Sequence, residues 1–467
     1  MDKNAKISLP AKVARILNTL GGHGYEAYAV GGCVRDSLLG RTPQDWDITT
    51  SARPEQVKAL FRHTIDTGIQ HGTVTVMLDH EGFEVTTYRI DGEYEDARHP
   101  KEVAFTANLL EDLKRRDFTI NALAISLNQE NYGVLIDPFG GLQHLEERLI
   151  KTPLDPGLTF SDDPLRMMRA IRFASQLNFQ IEENTFQAIA EYRHRLPIVS
   201  MERIMDEFNK IMLSPEPSRG IRLLDEAGLL EIFFPELTAL KGVDRVQGVK
   251  HKDNFYHTLT VLDTLSLYSQ DLWLRWAALL HDIGKPATKK YIQGQGWTFY
   301  GHNHVGERLV GKIFNRLKLP QNEKMKYVQK LVNLHMRPIV LSEETVTDSA
   351  VRRLLFDAGD DIDDLMTLAE ADITSKNEEK VKRFLENFKT VRRKLKEVEE
   401  KDSIRNFQPP ISGEEIIATF HLPPCKTIGD IKNAIKEAIL DGIIGNNYEE
   451  AREYMFKVAK ELGIDSQ

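Results

Sequence analysis

"GGCVRDSLLGRTPQDWDI", residues 31–48, is the stretch on which the reading of this chain turns. A glycine pair ends the strand-like run "YEAYAV" (25–30). A short helical segment, "CVRDSLLG", follows and is closed by Gly40; then comes "DWDIT" (45–49), read as a strand. Alternate residues of a strand share a face. Asp45 and Asp47 therefore project together, and Trp46 and Ile48 turn to the core. Taken alone, such a pair is the polar side of a half-buried strand. Its neighbourhood says otherwise. Two adjacent carboxylates penalise each other's ionisation unless a cation lies between them. Magnesium takes carboxylate oxygens together with substrate phosphates. Gly31 and Gly32 let backbone N–H groups approach an anion, and the helix start behind them favours negative charge. Arg35 adds a phosphate ligand. A phosphate cradle beside a two-acid metal site suits two-metal phosphoryl or nucleotidyl transfer.

Outward from this stretch, bulk properties set bounds. The 467 residues exceed one compact core, so several domains are expected. A net charge of −9, from 61 basic and 70 acidic side chains, excludes a broadly cationic coat but allows a local basic groove. Two distant cysteines, Cys33 and Cys425, argue against a disulfide framework and for a reduced, cytoplasmic setting. No run reaches the roughly 18 apolar residues of a membrane span, so no membrane partner is expected.

Residues 8–21 carry Val13, Ile16, Leu17 and Leu20 at helical spacing. "TVTVML" and "FEVTTYRI" read as strands. Helical patterns dominate from about residue 155, as in "DDPLRMMRAIRFASQL" and "MERIMDEFNKIML". "PLDPGL" (153–158) and "LTALKGVDRVQGV" (237–249) read as connectors. "KNEEKVKRFLENFKTVRRKLKEVEEKD", which carries charges of both signs, reads as a solvated helix.

With these elements in place, "GGCVRDSLLGRTPQDWDI" resembles the signature of the polymerase-β-type nucleotidyltransferases, in the group of class II tRNA CCA-adding enzymes and bacterial poly(A) polymerases. Further segments follow in that family's order. "EVTTYRID" (84–91) resembles the strand that supplies a third catalytic carboxylate, here Glu84, and "EYEDARHP" (93–100) the loop after it. "RRDFTINALA" (115–124) resembles the helix that meets the nucleotide's ribose and phosphates, which implicates Arg115, Arg116, Asp117 and Asn121. On a helix Asp117 and Asn121, four apart, share a face. "DPFGGLQHL" (137–145) resembles the head-to-neck element, with His144 where the family carries an acid. "DDPLR" (162–166) resembles the helix whose side chains read the Watson–Crick edge of the incoming base. Asp163 and Arg166 are then the selecting pair on one helical face, the carboxylate accepting and the guanidinium donating. Asp162 stands where the family usually has Glu. Arg166, Arg169 and Arg172 recur every three residues. Arg169 is counted with the nucleotide-binding set, although an amphipathic helix with solvated arginines explains Arg169 and Arg172 equally well. In "MERIMDEFNKIM" (201–212), Arg203, Glu207 and Lys210 read as bracing of the neck.

A second constellation lies within 257–372: His257, the adjacent His281-Asp282 after an apolar helix, His302, His335 and Asp372. The order H…HD…D resembles the HD phosphohydrolase superfamily. The resemblance implies a metal site at His257, His281, Asp282 and Asp372, with His302 and His335 as ligands of a second ion. Imidazole and carboxylate suit a transition metal or magnesium, and the sequence leaves the ion's identity open. "ISGEEIIATFHLPPCKTIGDIKNAIKEAILDG" (411–442) resembles the tail that follows HD domains in this family.

The resemblance implies an α+β nucleotidyltransferase head with a polymerase-β-like palm at 1–152, then a mostly helical remainder: a neck at 153–245, an HD domain at 246–376 and a tail at 377–467. It implies CCA addition to the tRNA 3′ acceptor end from CTP and ATP. Mg²⁺ would sit at Asp45 and Asp47, with the triphosphate on Gly31, Gly32 and Arg35. Three alternatives stand beside this reading. The first is a poly(A) polymerase or an enzyme adding only CC or only A. The second is an HD phosphohydrolase of nucleotides or cyclic phosphates with an RNA-binding head. The third is a non-catalytic RNA-binding protein.

Overall fold

A computed structural model of the chain describes residues 7, 9–91, 103–126, 133–246, 249–250, 253–343, 347–373 and 378–464. The segment expected as a loop at 93–100 lies outside them. The described residues form two compact units, Met1–Pro235 and Glu236–Gln467.

The first unit opens with α1 (Ala11–Gly22), β1 (Ala27–Val30), α2 (Gly32–Leu38), β2 (Asp47–Thr50), α3 (Pro54–Leu60), β3 (Thr64–Gly68), β4 (Thr73–Leu78), β5 (Glu81–Thr87) and β6 (Arg89–Asp91). It continues with β7 (Val103–Phe105), α4 (Leu109–Lys114), β8 (Ala124–Ser126), β9 (Leu135–Ile136) and α5 (Gly141–Glu147). Seven strands make one mixed sheet in the order β3-β4-β5-β2-β1-β8-β9. The expected helix appears as α1, with Val13, Ile16, Leu17 and Leu20 fully buried. The β1–β2 ladder is antiparallel and ends at Val30↔Asp47. Beyond Val30 the chain turns away at Gly31, whose φ of 82° an L-residue rarely adopts.

That turn corrects the expected strand. β2 starts at Asp47, because β1 offers no partner to Asp45 and Trp46. Trp46 is half-buried rather than in the core, while Ile48 is buried. The helix expected over 115–124 is also absent. α4 stops at Lys114, and only a 3₁₀ turn, Thr119–Asn121, precedes β8. The Asp117 carboxylate accepts from the Phe118 amide at 2.8 Å, and the Leu123 carbonyl accepts from Gly31 N at 3.1 Å. These bonds replace helical ones.

Next come β10 (Leu149–Ile150), α6 (Pro156–Asp162), α7 (Leu165–Leu177), β11 (Gln180–Ile181), α8 (Glu183–Tyr192), α9 (Met201–Met212), α10 (Pro217–Glu226), α11 (Leu230–Phe233) and α12 (Pro235–Thr238). The expected helix through 162–174 is broken at Asp163-Pro164. Proline disfavours a helical residue before it, and Asp163 is extended at φ −134°, ψ 98°. Asp163 and Arg166 are therefore not on one helical face. The Asp163 carboxylate instead caps the new helix by accepting from Leu165 N at 3.1 Å. α7 buries Met167, Met168, Ala170, Ile171 and Ala174 completely and packs on α9.

The second unit holds β12 (Arg245–Val246), β13 (Val249–Lys250), α13 (Asn254–Ser266), α14 (Leu272–Leu280), α15 (Lys285–Thr288), β14 (Lys290–Ile292), β15 (Gly296–Thr298), α16 (His302–Arg316), α17 (Glu323–Leu334) and α18 (Met336–Glu343). It ends in α19 (Asp348–Ala358), α20 (Ile362–Asp372), α21 (Glu378–Asp402), α22 (Gly413–Phe420), α23 (Lys426–Asp441) and α24 (Tyr448–Glu461). α21 is solvated on most of its circumference. Phe384, Phe388, Val391, Leu395 and Val398 form one buried stripe at alternating spacings of four and three. Among the described residues, no helix is long and apolar enough to cross a membrane.

Candidate active site and metal centre

In the first unit, the end of β1, the start of β2, the loop after α4 and the middle of α7 enclose a cavity of about 400 Å³. Gly31, Gly32, Arg35, Asp45, Asp47, Arg116, Asp117, Asn121 and Arg169 all line it, so most of the expected set is brought together. Arg35 is buried and held from two sides. It donates from Nη1 to Asn121 Oδ1 at 2.7 Å and from Nε to Asp36 Oδ1 at 2.9 Å. Asn121 Nδ2 in turn donates to Asp117 Oδ1 at 3.0 Å, and Arg169 Nη2 lies 2.7 Å from Asp117 Oδ2. Burial alone would raise the Asp117 carboxyl, but Arg169, Asn121 and Arg166 hold it down at about 2.

Asp47 and Glu84 are neighbours on parallel strands, since Ile48 pairs with Val85 one residue on. Partial burial pushes Asp47 upward, Arg116 opposes it, and Asp45 adds to it. Glu84 is raised by burial and then by Asp47 and Asp45. Asp47 and Glu84, both raised and both beside Asp45, make with it a donor set for a divalent cation, whose charge would reverse the penalty on these two.

Glu84, Arg115, Asp163 and Arg166 do not line this cavity. Arg166 and Arg115 face a neighbouring one of about 250 Å³, shared with Asp162. There Arg166 Nη2 donates to the Arg115 carbonyl at 2.8 Å. Asp163 is held by Arg203 Nη2 at 3.4 Å. Sequence reasoning missed Arg172 and Phe173, which line the first cavity. Arg172 is buried and paired with the buried Glu207 of α9, so it is not a solvated arginine. The guanidiniums of Arg172, Arg35 and Arg169 lie 4.0, 4.9 and 5.4 Å from the Phe173 ring centre, at cation–π distance. The three-residue arginine spacing was the signal that could have found Arg172. His144, at the family's acid position, meets Thr119 Oγ1 through Nδ1 at 2.8 Å.

In the second unit, His257 (α13), His281-Asp282 (after α14), His302 (first residue of α16), His335 (after α17) and Asp372 (last of α20) converge. Their ligand atoms form two groups, His257–His281–Asp372 and Asp282–His302–His335. This differs from the expected division, in which Asp282 belonged with the first group. The reason is that Asp282 faces both ways. Its Oδ2 lies 3.6 Å from His257 Nε2 and 3.4 Å from His281 Nε2, and its Oδ1 lies 3.4 Å from His302 Nε2.

Three rings are aimed by backbone carbonyls. Nδ1 of His281, His302 and His335 donates to Ala278 O, Phe299 O and Val332 O at 2.7, 2.9 and 2.6 Å. For His302 and His335 that tautomer leaves Nε2 with a lone pair directed inward; burial would lower His281, but the Asp282 and Asp372 carboxylates raise it to about 10. Nε2 of His302 and Nε2 of His335 then face each other at 3.3 Å. Two lone pairs so close repel unless a cation lies between them, so these residues fit a metal ion. Burial, followed by the neighbouring His281, depresses His335 to about 4, which keeps it a neutral ligand.

Three family models match the chain: the Poly A polymerase head domain over residues 27–151, the Probable RNA and SrmB- binding site of polymerase A over 178–241, and the HD domain over 254–377. The chain is similar to the CCA-adding enzyme of Bacillus licheniformis, 33% identical over 445 residues that cover 95% of this chain and 97% of the relative. It is 45% identical over 269 residues to the CCA-adding enzyme of Anoxybacillus flavithermus and 51% over 226 to that of a Geobacillus species. In these two matches it spans only 63% and 55% of the relatives' length. Among solved structures, it resembles the Bacillus stearothermophilus CCA-adding enzyme in complex with CTP. The TM-score there is 0.71 at 29% identity, covering 96% of this chain and 97% of that one. The Thermotoga maritima CCA-adding enzyme complexed with tRNA shares the fold, with a TM-score of 0.59 at 21% identity.

Proposed function

Because the chain belongs to the CCA-adding enzyme family, we propose that it extends the tRNA 3′ end with CCA from CTP and ATP, without a nucleic-acid template. The observation that carries this reading is the cavity that joins Asp45 and Asp47 to four cationic side chains, Arg35, Arg116, Arg169 and Arg172. The family depends on a divalent metal, and in our reading the head takes Mg²⁺. Asp45 and Asp47 would hold the ion, with Glu84 beside them, and it would supply Lewis-acid polarisation of phosphoryl oxygens and of an attacking hydroxyl. Gly31, Gly32, Arg35 and Arg116 hold the triphosphate oxygens in place. Asp117 and Asn121, locked to each other and to Arg169, grip the sugar. Asp163 and Arg166 select the base; each is anchored at one end, Asp163 by Arg203 and Arg166 by the Arg115 carbonyl. In the four-part division given above, the neck, tail and HD faces would hold the tRNA acceptor arm by shape and backbone. We place the enzyme in the cytoplasm, which its two free cysteines support.

A tRNA transcript lacking CCA, incubated with CTP alone, ATP alone and both, tests the reading. CTP alone is expected to add two residues, and both together to complete CCA. Long tails from ATP alone would instead assign a poly(A) polymerase, and no incorporation in any mixture would end the proposal.

The opposed lone pairs of His302 and His335 favour a second activity: metal-dependent phosphoester hydrolysis at the HD site. Asp282→Asn is expected to abolish hydrolysis of a cyclic nucleotide phosphate while CCA addition continues. Hydrolysis surviving that change would remove the second site from the account.

A further inference from the structure

Asp112, on α4, has no exposed surface, and none of the motifs above includes it. It nevertheless ties several parts of the first cavity's frame together. Its Oδ2 accepts from Thr49 Oγ1 of β2 at 3.1 Å. Its Oδ1 accepts from Arg115 Nε at 3.1 Å and Nη2 at 2.9 Å, and from the Arg89 amide at 3.4 Å. Oδ2 also lies 3.6 Å from Arg116 Nη2.

The last contact carries the consequence. Arg116 lines the catalytic cavity, and a Cβ on Gly31 would lie 3.1 Å from its Nη1. Its guanidinium thus spans from the buried Asp112 to the glycine cradle. Its Nε is buried with no hydrogen-bond acceptor among the described residues. Arg116 and Asp47 line the same cavity, with opposite charges. Arg116 therefore has two carboxylates to choose between, one buried and one meant for a metal. A guanidinium released from Asp112 would pair with Asp47 and occupy the oxygens a cation needs.

We propose that Asp112 is a positioning residue for nucleotidyl transfer: it holds the Arg116 guanidinium at the Gly31 cradle, facing the triphosphate, and off the metal-holding Asp47. This rests on the function proposed above. A purely structural carboxylate would brace β2 and α4 without altering how the head binds a cation.

The test is Mn²⁺ binding by calorimetry to the full chain, without nucleotide. The Asp282→Asn background removes the carboxylate shared by the two histidine clusters. Adding Asp112→Asn, which keeps the shape and an acceptor for Thr49, is expected to weaken head-site Mn²⁺ binding by about 10- to 100-fold. Adding Arg116→Gln to that variant is expected to restore affinity to within about threefold, which loss of a brace alone does not predict. Unchanged Mn²⁺ affinity in a folded Asp112→Asn chain, or no recovery on adding Arg116→Gln, overturns the proposal. If Asp112→Asn does not fold, Arg116→Gln alone decides. It is expected to raise the KM for CTP at least about tenfold without weakening Mn²⁺ binding, and an unchanged KM overturns the proposal. Failure of the parent chain to incorporate CTP would instead count against the proposed function, and the Mn²⁺ comparison would stand apart from it.

Discussion

Gly284 is where one methyl group should disable the histidine cluster without touching the proposed nucleotidyl transfer site. It follows Asp282 by two residues, and a Cβ built on it lies 2.1 Å from the carbonyl oxygen of His302 and 2.8 Å from Gly306 N. Carbon and carbonyl oxygen ordinarily approach to about 3.3 Å. Gly284→Ala therefore demands that α16 move by about 1 Å at its first turn. Such overpacking costs about 1–3 kcal/mol, which for a unit of this size lowers Tm by roughly 2–10 °C. His302 opens α16, and its Nε2 stands 3.4 Å from Asp282 Oδ1. Metal ligands tolerate displacements of only about 0.2 Å, so a shift several times larger removes His302 from the set. Calorimetric titration with Mn²⁺ or Ni²⁺ should show metal affinity at this cluster reduced about 10- to 100-fold. CTP incorporation by the other unit should be unchanged. Wild-type metal affinity together with a wild-type Tm would refute the steric argument, because α16 would then have absorbed the methyl without moving.

Asp47→Ala is expected to lower CTP and ATP incorporation by at least about a thousandfold, measured on a CCA-less tRNA, and to leave HD-site hydrolysis intact; loss of both in a folded protein would tie the two sites together. Asp117→Asn should destabilise the first unit by about 2 kcal/mol at pH 7 in urea unfolding, from a carboxyl held at about 2 against an ordinary 3.8. Because the folded value is the lower one, that stabilisation is complete above pH 4–5 and fades only as pH falls toward 2. The deficit should therefore be constant between pH 5 and 8, and a deficit varying across that range would contradict the assignment. A double-mutant cycle of Arg172→Gln and Glu207→Gln, read by urea unfolding, should give a coupling of about 1–3 kcal/mol, since the two buried groups face each other directly. Additive effects would place Glu207 with Arg169 and Lys210 instead.

What the sequence made legible was local. The glycine turn, the acid pair and the adjacent His-Asp are short, and their neighbours in the chain are their neighbours in space. The misreadings were non-local. A helix was read through Asp163 because the arginine period runs on past it, but Pro164 outweighs the period. Asp117 and Asn121 were placed on a helical face and do meet, yet through a tight turn that the Asp117 carboxylate itself builds. The sequence leaves Arg172 open to solvent, since a three-residue arginine spacing reads the same whether water or Glu207 lies opposite. Asp112 left no signal, because nothing in "LLEDLKRRD" tells which acid is buried. Asp282 was grouped by chain order, whereas its two oxygens answer to rings brought in by separate helices.

The parallel pairing of β2 with β5 gives the acid trio an error check. Asp47 and Glu84 stand side by side only in the register that pairs Ile48 with Val85. A slip of one residue would turn Glu84 inward and expose Phe83 and Val85, both buried now. Re-exposing two such side chains costs about 3–6 kcal/mol. A chain that assembles this sheet wrongly is thus rare, and it lacks the third carboxyl that the proposed transfer site calls for. Whatever fidelity that site has would begin in the alignment of two strands.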